Sequence, residues 1–143
     1  MRKIFYLYAC LVTLALAGCK NRQMTVSFSG LNGEWDVVEL NGNKLPAEET
    51  KPRLSFDAAG RNLSANAGCN HIAGEVETST DGSVRFLQLV STRKACLHAT
   101  RENQLLKALN EVVRFEASNE TTKTLVFYDA NRQRLFAIEK AVR

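Results

Sequence analysis

The sequence predicts an α+β fold: mainly antiparallel β-sheet, or a partly open barrel, with one covering amphipathic helix. Three observations predict it. Beyond residue 30 most of the chain falls into short segments in which apolar and polar residues alternate, separated by turn residues such as Asn-Gly and Asp-Gly. One segment, around residues 100–113, instead repeats its apolar residues at helical spacing. No internal repeat, low-complexity stretch or block of like charge interrupts this order.

In chain order, W-D-V-V-E-L (Trp35 to Leu40) reads as a strand running into Asn41-Gly42, a pair that tolerates positive φ and so suits a tight turn. R-L-S-F-D (Arg53 to Asp57) alternates strictly, and after A-A-G the segment Arg61 to Asn66 returns as a hairpin. A strand from about Ile72 to Glu77 turns at Asp81-Gly82 into Val84 to Leu89. Thr100 is expected to cap a helix with Glu102 in its first turn, where a negative charge suits the helix dipole. Leu105, Leu106, Leu109, Val112 and Val113 then form an apolar stripe expected to pack on the sheet. Thr124 to Asp129 and Arg134 to Glu139 flank the polar link A-N-R-Q as a terminal hairpin.

The first twenty residues set the compartment. M-R-K is followed by an apolar run and then by Gly18-Cys19 before the polar K-N-R-Q, the order of a secretory signal. The run is shorter than the roughly 20 residues a spanning helix needs. Leu16-Ala17-Gly18-Cys19 resembles the bacterial lipobox, which implies cleavage before Cys19 and its acylation. The expected organisation is a lipoprotein signal peptide over 1–18, a lipid-anchored linker over 19–29 and one domain over 30–143. Several acyl chains on one residue anchor stably without a spanning helix. Lys20, rather than Asp, follows the cysteine, so outer-membrane sorting is expected, with the face left open.

Cys10 leaves with the signal and Cys19 is consumed by lipid, which leaves Cys69 and Cys96. In an exported domain a lone pair of cysteines reads first as a disulfide. Both histidines stand two residues beyond these cysteines, in A-G-C-N-H and A-C-L-H. Two thiolates and two imidazoles would satisfy tetrahedral zinc, so a metal site on Cys69, His71, Cys96 and His98 stays open as the alternative. The one-residue spacing within each pair is tighter than usual structural-zinc spacing. A catalytic Cys/His pair would need a third orienting group, and the sequence nominates none. The expectation is no enzyme, no cofactor and no metal.

Composition excludes little else. Arg2 and Lys3 lie in the leader, so the remainder carries 17 basic against 15 acidic residues, a net +2. Arg93-Lys94 and Arg132-x-Arg134 are too short for a nucleic-acid footprint, and no nucleic-acid partner is expected.

Leu31-x-Gly33-x-Trp35 with Leu40-Asn41-Gly42, Gly68-Cys69-Asn70 with Gly74, and Ser91-Thr92-x-x-Ala95-Cys96 together resemble the META domain of heat-shock HslJ-type lipoproteins. The resemblance spans about Gly30 to Lys140. It departs at Ala65, where the family often has Gly, and at Lys94, where it often has Met. The resemblance implies an envelope lipoprotein with a binding or stress-tolerance role and no established catalytic residue. On the residues themselves, Gly33 and Gly68 suit unusual backbone angles, Trp35 suits a core anchor, and Asn70 suits a turn whose backbone groups it satisfies.

The leading expectation is a non-catalytic, lipid-anchored envelope protein, monomeric, binding an envelope protein or a small apolar ligand. Asn70, His71, Arg93 and His98 are its candidate binding surface. A lysozyme-inhibitor-like lipoprotein is the alternative, and a zinc-binding protein ranks below it.

Overall fold

The computed structural model describes residues 28–47, 50–95, 99–118 and 124–142. The expected signal peptide, Cys19 and residues 20–27 of the linker lie outside the described residues, as do Cys96 and His98. A 3-10 turn (Phe28–Leu31) leads into β1 (Gly33–Leu40), β2 (Asn43–Lys44), β3 (Arg53–Asp57), β4 (Asn62–Asn66), β5 (His71–Thr78) and β6 (Val84–Ser91). The helix α1 (Ala99–Glu111) follows, then β7 (Arg114–Ala117), β8 (Thr124–Tyr128) and β9 (Arg134–Lys140).

The strands form one antiparallel sheet in the order β6-β5-β4-β3-β1-β9-β8-β7, with β2 paired to β1. The two outermost strands of this path are consecutive in the chain, joined by α1. They meet at one end. Ser83 bridges Arg114, Val84 N donates to Val113 O at 3.0 Å, and Phe115 N donates to Gly82 O at 3.0 Å. The sheet therefore curls into a half-barrel, and α1 packs on β6. Among the described residues no helix is long and apolar enough to cross a membrane.

β3 and β4 bury alternate residues, as period-two geometry demands, with exposed ends, two buried apolar positions and a partly buried centre, whereas β8 and β9 carry continuous buried runs, Leu125 to Phe127 and Leu135 to Ile138. Aromatic rings fill the interior. Phe127 stacks on Phe136 with centroids 4.5 Å apart and on Phe115 at 5.6 Å, while Phe86 links Phe127 to Phe56 at 6.3 and 6.1 Å. Trp35 is a core anchor, as expected: it is buried and its Nε1 donates to Leu31 O at 2.6 Å. Asn41 and Gly42 both take positive φ, 51° and 78°, in the tight turn between β1 and β2.

The helix differs from expectation at both ends. It begins at Ala99, so Thr100 stands inside its first turn rather than capping it. At the other end Val112 N still donates to Ala108 O, but Val113 N donates to Tyr128 O at 3.0 Å. Val113 has left the helical stripe for the approach to β7, a strand the sequence pattern did not reveal.

Candidate functional site

Among the described residues three polar or charged side chains are buried: Glu39, Asn70 and Glu102. Glu39 pairs with Arg134, whose Nε lies 2.7 Å from its Oε1. The other two bind each other, and they do so where the G-C-N turn meets Thr92 and Lys94.

Asn70 closes the turn between β4 and β5, and Glu102 sits in the first turn of α1. Glu102 Oε1 accepts from Cys69 N at 2.6 Å and from Asn70 N at 2.8 Å, and Oε2 accepts from Asn70 Nδ2 at 2.6 Å. Asn70 Oδ1 in turn accepts from Thr92 Oγ1 at 3.0 Å and Lys94 N at 2.8 Å. Thr92 Oγ1 accepts from His71 N at 3.0 Å, and Thr92 N donates to His71 O at 3.0 Å. One amide and one carboxylate thus tie three segments: the turn after β4, the segment after β6 and the start of α1. Gly68 makes the turn possible with φ 124°, a backbone angle L side chains rarely adopt.

Electrostatics follow from the same contacts. Burial pushes the Glu102 carboxyl up, but the hydrogen bonds from Asn70 N, Asn70 Nδ2 and Cys69 N favour the ionised form and hold it below the ordinary carboxylate value. Both of its oxygens are occupied by donors, so it is placed to hold the turn rather than to move protons.

Asn70, His71 and Thr92 are thus brought together, but in different roles. Asn70 is buried, with both side-chain polar atoms engaged, which makes it a tie between segments rather than exposed binding surface. His71 is exposed, and its Nε2 lies 3.0 Å from Ser64 Oγ. Arg93 is exposed beside Thr92. Cys69 stands in the turn with its N–H on Glu102, and Cys96, its disulfide partner expected from the sequence, lies outside the described residues. His98 lies outside them too, so the four-ligand alternative is only half in view; no group of three metal-ligating side chains occurs among the described residues.

Sequence reasoning placed Glu102 in the first turn of the helix, where it stands, but missed that its carboxylate is buried and holds the G-C-N turn. A signal was present: it stands three and seven residues before Leu105 and Leu109, both buried, and therefore on the apolar stripe of the helix. An acid on a buried stripe calls for donors, and the G-C-N turn supplies them.

Beside this lock, on the outer face of the sheet, lies an open groove of about 660 Å³. Register lays its side chains in two rows. Asp36 pairs with Arg53, Arg53 with Asn66 and Asn66 with His71; Glu34 pairs with Ser55 and Ser55 with Ser64. Arg53 Nε donates to Asp36 Oδ1 at 2.8 Å, and Arg53 Nη1 lies 3.9 Å from Glu34 Oε2. The hydrogen bond and then the charge of Asp36 hold the guanidinium above its ordinary value, so it stays charged. Lys51 and Gly68 also line the groove.

A family model of the META domain matches residues 23–142. No curated protein matches the chain. Among solved structures, a protein from Burkholderia xenovorans determined by NMR is similar at a TM-score of 0.66 and 20% identity, covering 85% of this chain and 90% of that one. A second NMR structure is similar at a TM-score of 0.59 and 19% identity, over 80% of this chain and 94% of that one. A crystal structure of a DUF4847-family protein from Bacteroides vulgatus matches at a TM-score of 0.56 and 13% identity, over 79% of this chain and 95% of that one. At these identities the three structures speak for the fold alone.

Proposed function

The chain belongs to the META-domain family, and from that premise we propose that it is a non-catalytic bacterial envelope protein, held to the outer membrane by acylated Cys19 and acting as a binding module. In this reading residues 1–18 are removed, 19–29 tether the domain, and Cys69 pairs with Cys96. The observation that carries binding over catalysis is the Glu102–Asn70 lock. The site's buried carboxylate spends both oxygens on three N–H donors, so it serves to hold the turn and is not free to act as an acid or base. The interior supports the same view: stacked phenylalanines occupy it, so the binding surface belongs on the outer face rather than in a barrel cavity.

The test is attachment. Wild-type protein labelled with a fatty-acid analogue in a bacterial host should carry label and fractionate with the outer membrane, while Cys19→Ala should lose the label and the membrane. Unlabelled wild-type protein would sink the anchored reading. A non-reducing peptide map of the wild type should yield one linked species joining the Cys69 and Cys96 peptides, and alkylation of both thiols without prior reduction would refute the bridge.

A further inference from the structure

The outer-face groove has a chemistry of its own. Among the described residues its acidic and basic side chains balance: Glu34 and Asp36 face Arg53 and Lys51, and Arg53 is already bound to Asp36. A bare cation meets a guanidinium, and a bare anion meets two carboxylates, so neither gains much there. The other polar side chains are Thr50, Ser55, Ser64, Asn66 and His71, all of types that can donate and accept, with Asn66 Oδ1 already accepting from Gly68 N at 3.0 Å and its Nδ2 left to donate. The Ser64–His71 contact at 3.0 Å joins the two rows and holds the hydroxyl oxygen and the imidazole beside each other before any ligand arrives. Strand neighbours lie about 4.8 Å apart, so the row from Asp36 across to His71 covers three gaps, about 14 Å. That length takes a short chain of rings rather than one. The volume also falls in the range of small-ligand sites, about 300 to 1,000 Å³.

We infer that this groove binds an uncharged, hydroxyl-rich ligand, a neutral oligosaccharide, through Ser55, Ser64, Asn66 and His71, with the Asp36–Arg53 pair offering an acceptor and a donor at one end of the row. The inference rests on the reading of the domain as a binding module and names its ligand class. Recognition runs through hydrogen bonds exchanged with water, each modest in net worth, so binding is weak and fast.

The experiment is an NMR titration of the full-length protein in detergent micelles with two probes, chitotetraose and maltotetraose. The first carries N-acetyl groups and the second hydroxyls alone, so the pair separates amino-sugar from plain glucan sources of the same chemistry. Expected are shifts confined to the amides of Ser55, Ser64, Asn66 and His71 with at least one probe. Ser64→Ala and Ser55→Ala should each weaken binding about fivefold, the loss of one net hydrogen bond, with Arg85→Ala, exposed on β6 outside the groove, unchanged. No shift with either probe, shifts on other strands, or unaltered affinity in both serine variants overturns the inference. A silent titration beside a labelled, membrane-bound wild type removes the ligand class and leaves the anchored module standing. An unlabelled wild type that still binds chitotetraose does the reverse.

Discussion

At Glu102 a single side chain decides the geometry of a turn more than thirty residues away. Each of its three accepted hydrogen bonds is charge-assisted, and removing the charge strands Cys69 N and Asn70 N with poor partners. Glu102→Gln should therefore destabilise the domain by about 3 kcal/mol at neutral pH, read as a lower midpoint in urea denaturation. The pH dependence has a definite sign. The folded-state carboxyl lies below its ordinary value of 4.5, so its contribution is complete above that pH and is lost as pH falls through the folded-state value. The gap between wild type and Glu102→Gln should hold constant from neutral pH down to about 5 and narrow below 4.5. A gap that widens on acidification would show that Glu102 is protonated in the native protein. Asn70 and Gly68 were legible as turn residues from the sequence, because their conformational chemistry is local. The Asn70–Glu102 pairing was not, because it joins residues 32 apart and needs the sheet to curl before they meet.

Elements were legible where their period was long enough to count. The pair Arg53 to Asp57 and Arg61 to Asn66 differs from its strands by one residue, and both inner hairpin turns fall where Asn-Gly and Asp-Gly stand. β7 escaped because Arg114–Ala117 is four residues long and abuts Val112-Val113, whose apolar character continues the helical count. The β6 irregularity escaped for a different reason: its cause lies on the neighbouring strand. Pairing jumps from Ala73↔Val90 to Glu75↔Leu87, so β6 carries an extra residue opposite Gly74, and Gln88 takes φ 51° there. A Cβ at Gly74 would stand 2.7 Å from Leu89 Cδ2 and 2.8 Å from Leu87 O. The leucine end can turn aside, but the carbonyl belongs to the bulge itself. Gly74→Ala should therefore cost about 1 to 3 kcal/mol, seen as a lowered Tm. An unchanged Tm would mean the bulge slides along β6 to make room.

At the scale of the whole molecule, the half-barrel has one seam, and the chain's own order explains it. β6 and β7 stand at opposite ends of the strand path yet are separated in sequence only by α1 and its flanking segments, so closing the sheet joins near neighbours in the chain. Closure entropy for such a link is smaller than for a long-range pairing. The sequence suggested a partly open barrel, but not which strands would meet, since period-two patterning marks faces and says nothing of strand order. Gly82 sits at the seam with φ 85°, and a Cβ there would approach Phe115 O to 3.2 Å, the carbonyl of the residue whose N–H it receives. A β-branched side chain at that angle adds backbone strain of about 1 to 3 kcal/mol. Gly82→Val should then loosen the seam before the sheet. Hydrogen exchange at Phe115 N and Val84 N, which donate across it, should accelerate several-fold more than at amides within the β3–β4 hairpin. Equal acceleration at every amide would mean that seam and sheet open as one cooperative unit, with the aromatic stack of Phe115, Phe127 and Phe136 setting the stability of both.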